Sequence, residues 1–540
     1  MGAGDPPVTT ADAMKRLIGI LLGKQNPRLH PSGTQKRRAL GARVALGMTA
    51  FFLAALAVPV CAHVGSPDVF VEGNAGPYKL FVTVRVPQVI PGIAEIEIRS
   101  ESNDVSEIRI APMQLTGPGS QYAPAPEGAE RSKDDPQFFR GSLWLMEFGS
   151  LQVRIEADGA AGKGWLAVPI PAIAQRVLPM QGSLGALLFV LLIVLSLAMV
   201  SIVAAAVREG NLSPGAPAPA TRKRQVRFAA AVASFVVAAV LTAGGLWWRA
   251  DARQYGSHVY TTPEIEAAVS ASGELILHAK PIRMTSGNPR RPEDWIDFRD
   301  LILDHEHLMH LFLVRSPGMD VFWHLHPVRA ASGFTQNLPA MPAGHYQIFA
   351  DVVLRSGFPV TMIGQIDLPS AIVGHPLTGD DSGIDRNGSP SEGASTAEYS
   401  LSDGSRMVWE HAGQPLQAGV PLILTFGVID RAGNPTQDLQ PYMGMAAHAA
   451  IVRSDGSVFA HVHPTGSVPM ASFELAQASL PATLEQSGHS SMNMAQMGAD
   501  KAAPEISIPY GFPKAGLYRV FVQVKRAGQI QTGVFDANVK

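Results

Sequence analysis

The chain has 540 residues, too many for one hydrophobic core, so several domains are expected. Its 43 Lys and Arg against 45 Asp and Glu give a formal net charge of -2, which supplies no electrostatic reason to bind nucleic acid. The single cysteine, Cys61, excludes an internal disulfide, so a metal site elsewhere must use His, Met, carboxylate or backbone groups.

Residues 1–35 read as a cytoplasmic prelude or a start codon called too early. Residues 36–62 read as a signal peptide or first anchor: the basic stretch KRRALGAR is followed by the apolar VALGMTAFFLAALAVPVCA. Cleavage after Ala62 would leave His63 as the mature N-terminus, where its amine and imidazole together chelate Cu(II). The first outer region, 63–183, alternates apolar and polar residues, as in YKLFVTVRVPQVIPGIAEIEIRS (78–100), and is broken by Pro, Gly, Asp and Asn. That is the pattern of half-buried antiparallel strands.

Two uncharged segments follow, 184–207 and 228–248, each long enough at 1.5 Å per residue to cross a bilayer core of about 30 Å. The loop between them (208–227) carries Arg208, Arg222, Lys223, Arg224 and Arg227 against one acid, Glu209, which puts it in the cytoplasm. Regions 63–183 and 249–540 are then on the same outer, non-cytoplasmic side. An oxidising compartment of that kind suits a chain with no thiol beyond the signal.

Beyond the second apolar segment lie two stretches of strand-like texture, 256–369 and 398–540, joined by a Gly-, Ser-, Asp- and Pro-rich linker over 370–397. The expected fold is all-β outer domains, immunoglobulin-like or cupredoxin-like sandwiches, plus transmembrane α-helices. The two stretches also repeat each other. MHLFLVRSPGMDVFWHLHP (309–327) matches AHAAIVRSDGSVFAHVHP (447–464), and MPAGHYQIFADVVLRSG (341–357) matches FPKAGLYRVFVQVKRAG (512–528), as internal duplication produces.

The turns place the histidines. Asp455-Gly456 is a two-residue hairpin loop that pairs Ser454 with Ser457 and puts His448 opposite His463. The loop Pro317-Gly318-Met319 pairs Ser316 with Asp320 and puts His310 opposite His326. Alternation puts His324 and His326 on one face with Phe322, and His461 and His463 on one face with Phe459; the opposite, aliphatic faces are expected to be core. Opposed Cβ atoms lie about 4.5 to 5.5 Å apart, so His310, His324 and His326, and again His448, His461 and His463, can converge on an ion. DHEHLMH (304–310) adds His305 and His307, which a solvated loop explains as well. Met443 and Met445 precede His448, and the insertion SGHSSMNMAQMGAD (487–500) carries His489, Met492, Met494 and Met497. Thioethers suit the soft Cu(I) and imidazoles suit Cu(II). No nucleotide-binding glycine loop, nucleophile elbow or zinc-protease helix is present, so no enzyme is expected.

On HLMHLFLVRSPGMDVFWHLHP, MPAGHYQIFADVV and PYMGMAAHAAIVRSDGSVFAHVHP, the second and third domains resemble the YtkA-like group of exported β-sandwich domains. They are more distantly similar to CopC-like periplasmic copper carriers. The first domain, from AHVGSPDVFVEG to GSLWLMEFGSLQVRI, looks like a member of the same broad class. The resemblance implies an immunoglobulin-like fold and copper handling; CopC-like domains begin with histidine, as His63 would, while their remaining ligands have no match here. The function expected is sequestration or relay of copper by a membrane-anchored protein, with an envelope copper-accepting protein as partner. The alternative is an envelope scaffold or sensor whose histidines are structural.

Overall fold

The computed structural model describes residues 68–540 apart from 211, 214, 217–221, 280–281, 284–294, 297–299, 386–396, 411 and 481–504. Three two-sheet β assemblies and two long helices account for most of these residues. In the first assembly a five-stranded sheet led by Val69–Ala75 faces a four-stranded sheet that includes Val105–Gln114 and Gly149–Gly159. Alternation drives the packing. In Gly92–Ser100, Ala94, Ile96 and Ile98 enter the core while Glu95 and Arg99 stay outside.

The second assembly pairs a four-stranded sheet containing Glu274–Ala279 with a six-stranded sheet containing His310–Ser316, Val321–Leu325 and Gly344–Leu354. The third pairs a four-stranded sheet containing Leu422–Ile429 with a five-stranded sheet containing His448–Arg453, Phe459–Val462 and Gly516–Arg526. Each has its own core drawn from both sheets, so each is a sandwich. The aliphatic faces of both hairpins are core, as expected. Val321, Trp323 and Leu325 pack in the second sandwich; Val458 and Val462 pack in the third.

Helices Gly182–Glu209 and Lys223–Gly256 are long and apolar enough to cross a membrane, and none of their residues is buried. The second runs well past the apolar segment 228–248, because RADARQY contains no helix breaker before Gly256. Two further features depart from the sequence reading. Within the stretch read as a linker, Ser382–Asp385 forms a strand that pairs with Val321–Leu325; composition alone hid it, since its stabilising contacts come from a neighbouring strand. And Met470–Ala478, in the third β stretch, is a helix.

The sandwiches pack on one another. Val71 bridges Gly466, Glu72 N–H donates to the Thr465 carbonyl at 2.9 Å, and Ser467 N–H to the Phe70 carbonyl at 2.9 Å, tying the first to the third. Gly466 has φ 124°, and a Cβ there would meet the Phe70 carbonyl at 1.9 Å, so only glycine fits. Between the second and third, Phe322 stacks on Phe521 (4.1 Å) and Phe349 on Phe459 (4.3 Å). These two pairs are exchanged by the duplication, so the repeats pack face to face about a pseudo-twofold axis.

Candidate metal centre

The hairpin register expected from the loops is the register found: Leu311 pairs with Leu325 and Ala449 with Val462, so the next positions set His310 opposite His326 and His448 opposite His463. The surroundings differ from the expectation. The histidine-bearing faces are not outer surfaces. Each is covered by the other hairpin, leaving His324 at 0% and His448 and His463 at 1% exposure.

Burial regroups the donors. One ring nitrogen each of His310, His324 and His461 lie within 4.8 Å of one another, and so do those of His305, His448 and His463. Each triad therefore draws on both sandwiches. The grouping by hairpin, His310 with His324 and His326 and His448 with His461 and His463, is replaced by exchange across the axis. His326 turns to the side, stacked on His307 at 3.9 Å, with Asp381 Oδ1 accepting from its backbone N–H at 2.8 Å and 3.1 Å from its Nδ1.

The hydrogen bonds fix the tautomers. A carbonyl only accepts, so His310 Nε2, 3.1 Å from the Asp304 carbonyl, carries the proton and leaves Nδ1 with a lone pair. His324 Nδ1 donates to Gln523 Oε1 at 2.9 Å, the Gln523 amide nitrogen being directed at Ser382 Oγ (2.6 Å), so His324 Nε2 is also a lone pair. These two bare nitrogens face each other at 3.1 Å. The other repeat does the same: His448 Nε2 donates to the Tyr442 carbonyl (3.1 Å), His461 Nδ1 lies 3.6 Å from Asp351 Oδ2, and His448 Nδ1 faces His461 Nε2 at 3.2 Å. Within one triad the facing lone pairs of His310 and His324 repel unless a cation lies between them, whereas His448 and His461 belong to different triads. Two imidazole nitrogens on one tetrahedral ion at 2.0 to 2.1 Å are separated by about 3.3 Å.

More donors are left over. His305 Nδ1 donates to the Met443 carbonyl at 2.8 Å, which leaves its buried Nε2 without a partner. The buried Nε2 atoms of His307 and His326 also lack hydrogen-bond partners, although Asp380 Oδ2 lies 3.5 Å from the former. His463 has no ring contact of good hydrogen-bond geometry, the Val468 backbone being only a weak polar neighbour. Such orphaned buried nitrogens call for an ion, a water molecule or a proton. Protons are disfavoured: burial first, then neighbouring imidazoles, holds His324, His326, His448, His461 and His463 well below the usual histidine range. Burial likewise lowers His310 to about 4 against the pull of Asp304. Burial raises Asp351 to about 7. Neutral, buried imidazoles keep the lone pairs that a metal ion requires.

Of the other sequence candidates, Met445 is core, packed with the first sandwich, and Met443 offers His305 its backbone carbonyl. His63, His489, Met492, Met494 and Met497 lie outside the described residues. The sequence reading left His305, His307, Asp351, Asp381 and Gln523 unassigned. A signal for the first two exists: Asp304 and Tyr442 stand six residues before His310 and His448, and both segments turn identically, with left-handed φ at His305 and Glu306 and at Met443 and Gly444.

A family model described as a domain of unknown function, DUF8832, matches residues 400–540. No curated protein matches. Among solved structures, Escherichia coli alpha-2-macroglobulin activated by porcine elastase is 8% identical, with a TM-score of 0.17, 85% of this chain covered and 31% of that one. Dimeric latent PorU from Porphyromonas gingivalis is 10% identical, with a TM-score of 0.13, 87% of this chain and 33% of that one. The ICAM-5 D1–D4 ectodomain fragment is 8% identical, with a TM-score of 0.13, 84% of this chain and 73% of that one. The chain thus spans about a third of the first two.

Proposed function

We propose that the protein is a membrane-anchored, periplasm-facing copper-binding protein that sequesters or relays the ion, held to the inner membrane by its two apolar helices. The observation that carries the reading is the lone-pair contact of His310 Nδ1 with His324 Nε2 at 3.1 Å, in a triad of unprotonated imidazoles beside a second, partly orphaned triad of His305, His448 and His463. The far nitrogens of His310, His448 and His324 are hydrogen-bonded to the Asp304 carbonyl, the Tyr442 carbonyl and Gln523, as orienting groups do around metals, and that of His461 lies 3.6 Å from Asp351 Oδ2. Three nitrogens per site admit zinc as well as copper. The methionines of 487–500 favour copper, since thioethers deliver Cu(I) and have little affinity for zinc. The YtkA-like and CopC-like resemblances of the sequence, and the immunoglobulin-like fold that they imply, agree with this role.

The test is competition of the detergent-solubilised full chain with a Cu(I) chelator, alongside Zn(II). Tight Cu(I) binding that is lost in His310→Ala/His448→Ala, which removes one imidazole from each triad, supports the reading. Binding of zinc alone replaces copper by zinc, and binding of neither leaves the histidines as interface architecture.

A further inference from the structure

We infer that the two triads form one coupled two-copper centre, open to a small ligand on the side of Asp304 and Asp351. The inference rests on the metal-binding reading and adds to it the number of ions, their spacing and an exchangeable coordination position.

Spacing follows from the tautomers. His448 can ligate only through Nδ1, because its Nε2 is bonded to the Tyr442 carbonyl; His461 presents Nε2, because its Nδ1 faces Asp351. These nitrogens belong to different triads and lie 3.2 Å apart. With metal–nitrogen bonds of about 2.0 to 2.1 Å, the two ions are at most about 7 Å apart. A ring of one triad touches a ring of the other as well, His461 and His463 at 4.4 Å between centroids.

Openness follows from the count of donors. Three imidazoles leave a four-coordinate ion one position short. A cavity of about 140 Å³ where the three sandwiches meet is lined by His310, His461 and His463 together with Asp304 and Asp351. Liquid water occupies about 30 Å³ per molecule, so there is room for a few small molecules. Two Cu(II) ions bring four positive charges and the two carboxylates offset two. The remaining charge, in apolar walls, attracts a small anion such as hydroxide or azide.

The experiment loads the full chain in detergent with Cu(II), counts copper per chain, records the electron paramagnetic resonance spectrum and titrates azide. Two ions per chain, a dipolar-broadened spectrum with a half-field transition, and a new azide-to-copper absorption band are expected. His461→Ala and, independently, His463→Ala should each retain one ion whose spectrum is that of isolated copper. Two ions with unbroadened spectra and no half-field signal, or no response to azide, overturns the inference while the metal-binding reading stands. No bound copper overturns both.

Discussion

The second and third sandwiches carry the same hairpin with the same three histidines, yet their surroundings have diverged. Where the second has Asp304 and Asp351, the third has Tyr442 and Gln523. Where the second turns through His305 and Glu306, the third turns through Met443 and Gly444. The hairpin donors are duplicated, while the carboxylates Asp304 and Asp351 beside them come from the second sandwich. Duplication built a symmetric cradle, and divergence of its outer shell made the two halves electrostatically unequal.

The largest effect is expected from acid, which acts on both repeats at once. The buried histidines are neutral in the fold and titrate near 6.5 when unfolded, with His310 held to about 4. Between these values the unfolded chain takes up protons that the folded chain cannot, so stability is present above 6.5 and lost as pH falls toward 4. Asp351 opposes this: raised from 3.8 to about 7, it contributes stability that is lost as pH rises through 7. Six histidines outweigh it, so the urea midpoint of the metal-free protein should be lower at pH 5 than at pH 7.5. An unchanged midpoint would mean the cluster is wetter than its burial implies.

Next are the aromatic pairs. Phe322→Ala and Phe459→Ala are symmetry-related and each should cost about 3–5 kcal/mol, read by denaturant unfolding. A large inequality between them would break the pseudo-twofold comparison. Asp351→Asn should weaken copper binding by about 10- to 100-fold, and Gln523→Ala by less, since no charge is removed; equal losses in chelator competition would deny the electrostatic asymmetry. The smallest effect is at Asp304, whose Oδ1 accepts from Ala471 N–H at 2.7 Å and so caps the helix Met470–Ala478 from another sandwich. Asp304→Asn should cost about 1 kcal/mol or less, because asparagine keeps an acceptor, whereas Asp304→Ala should cost about 1–2 kcal/mol.

Much of this was legible in the sequence. The strand alternation, the two apolar helices, the duplication and the register of both hairpins follow from period-two patterning and turn chemistry, which are local. The exchange of histidines between triads was not legible, because Phe322, Phe349, Phe459 and Phe521 read equally well as residues of a solvent-facing sheet. What the sheets meet is a tertiary fact. The helix Met470–Ala478 escaped for a related reason: nine residues after Pro469 give too short a period to stand out among strands, and its cap comes from Asp304, far away in the chain. Asp381 was hidden by the linker-like composition of its neighbours.

The central claim is that imidazoles from both sandwiches hold one ion between them. Copper X-ray absorption on the full chain carrying His463→Ala, in which the triad of His310, His324 and His461 is the intact one, loaded with one equivalent of Cu(I) and compared with His461→Ala/His463→Ala, tests it most directly. The account predicts a shell of three imidazole nitrogens at about 2.0 Å that loses one nitrogen in the variant, although His461 lies in a different sandwich from His310 and His324. A sulfur-dominated shell, or a nitrogen shell indifferent to His461→Ala, would contradict it.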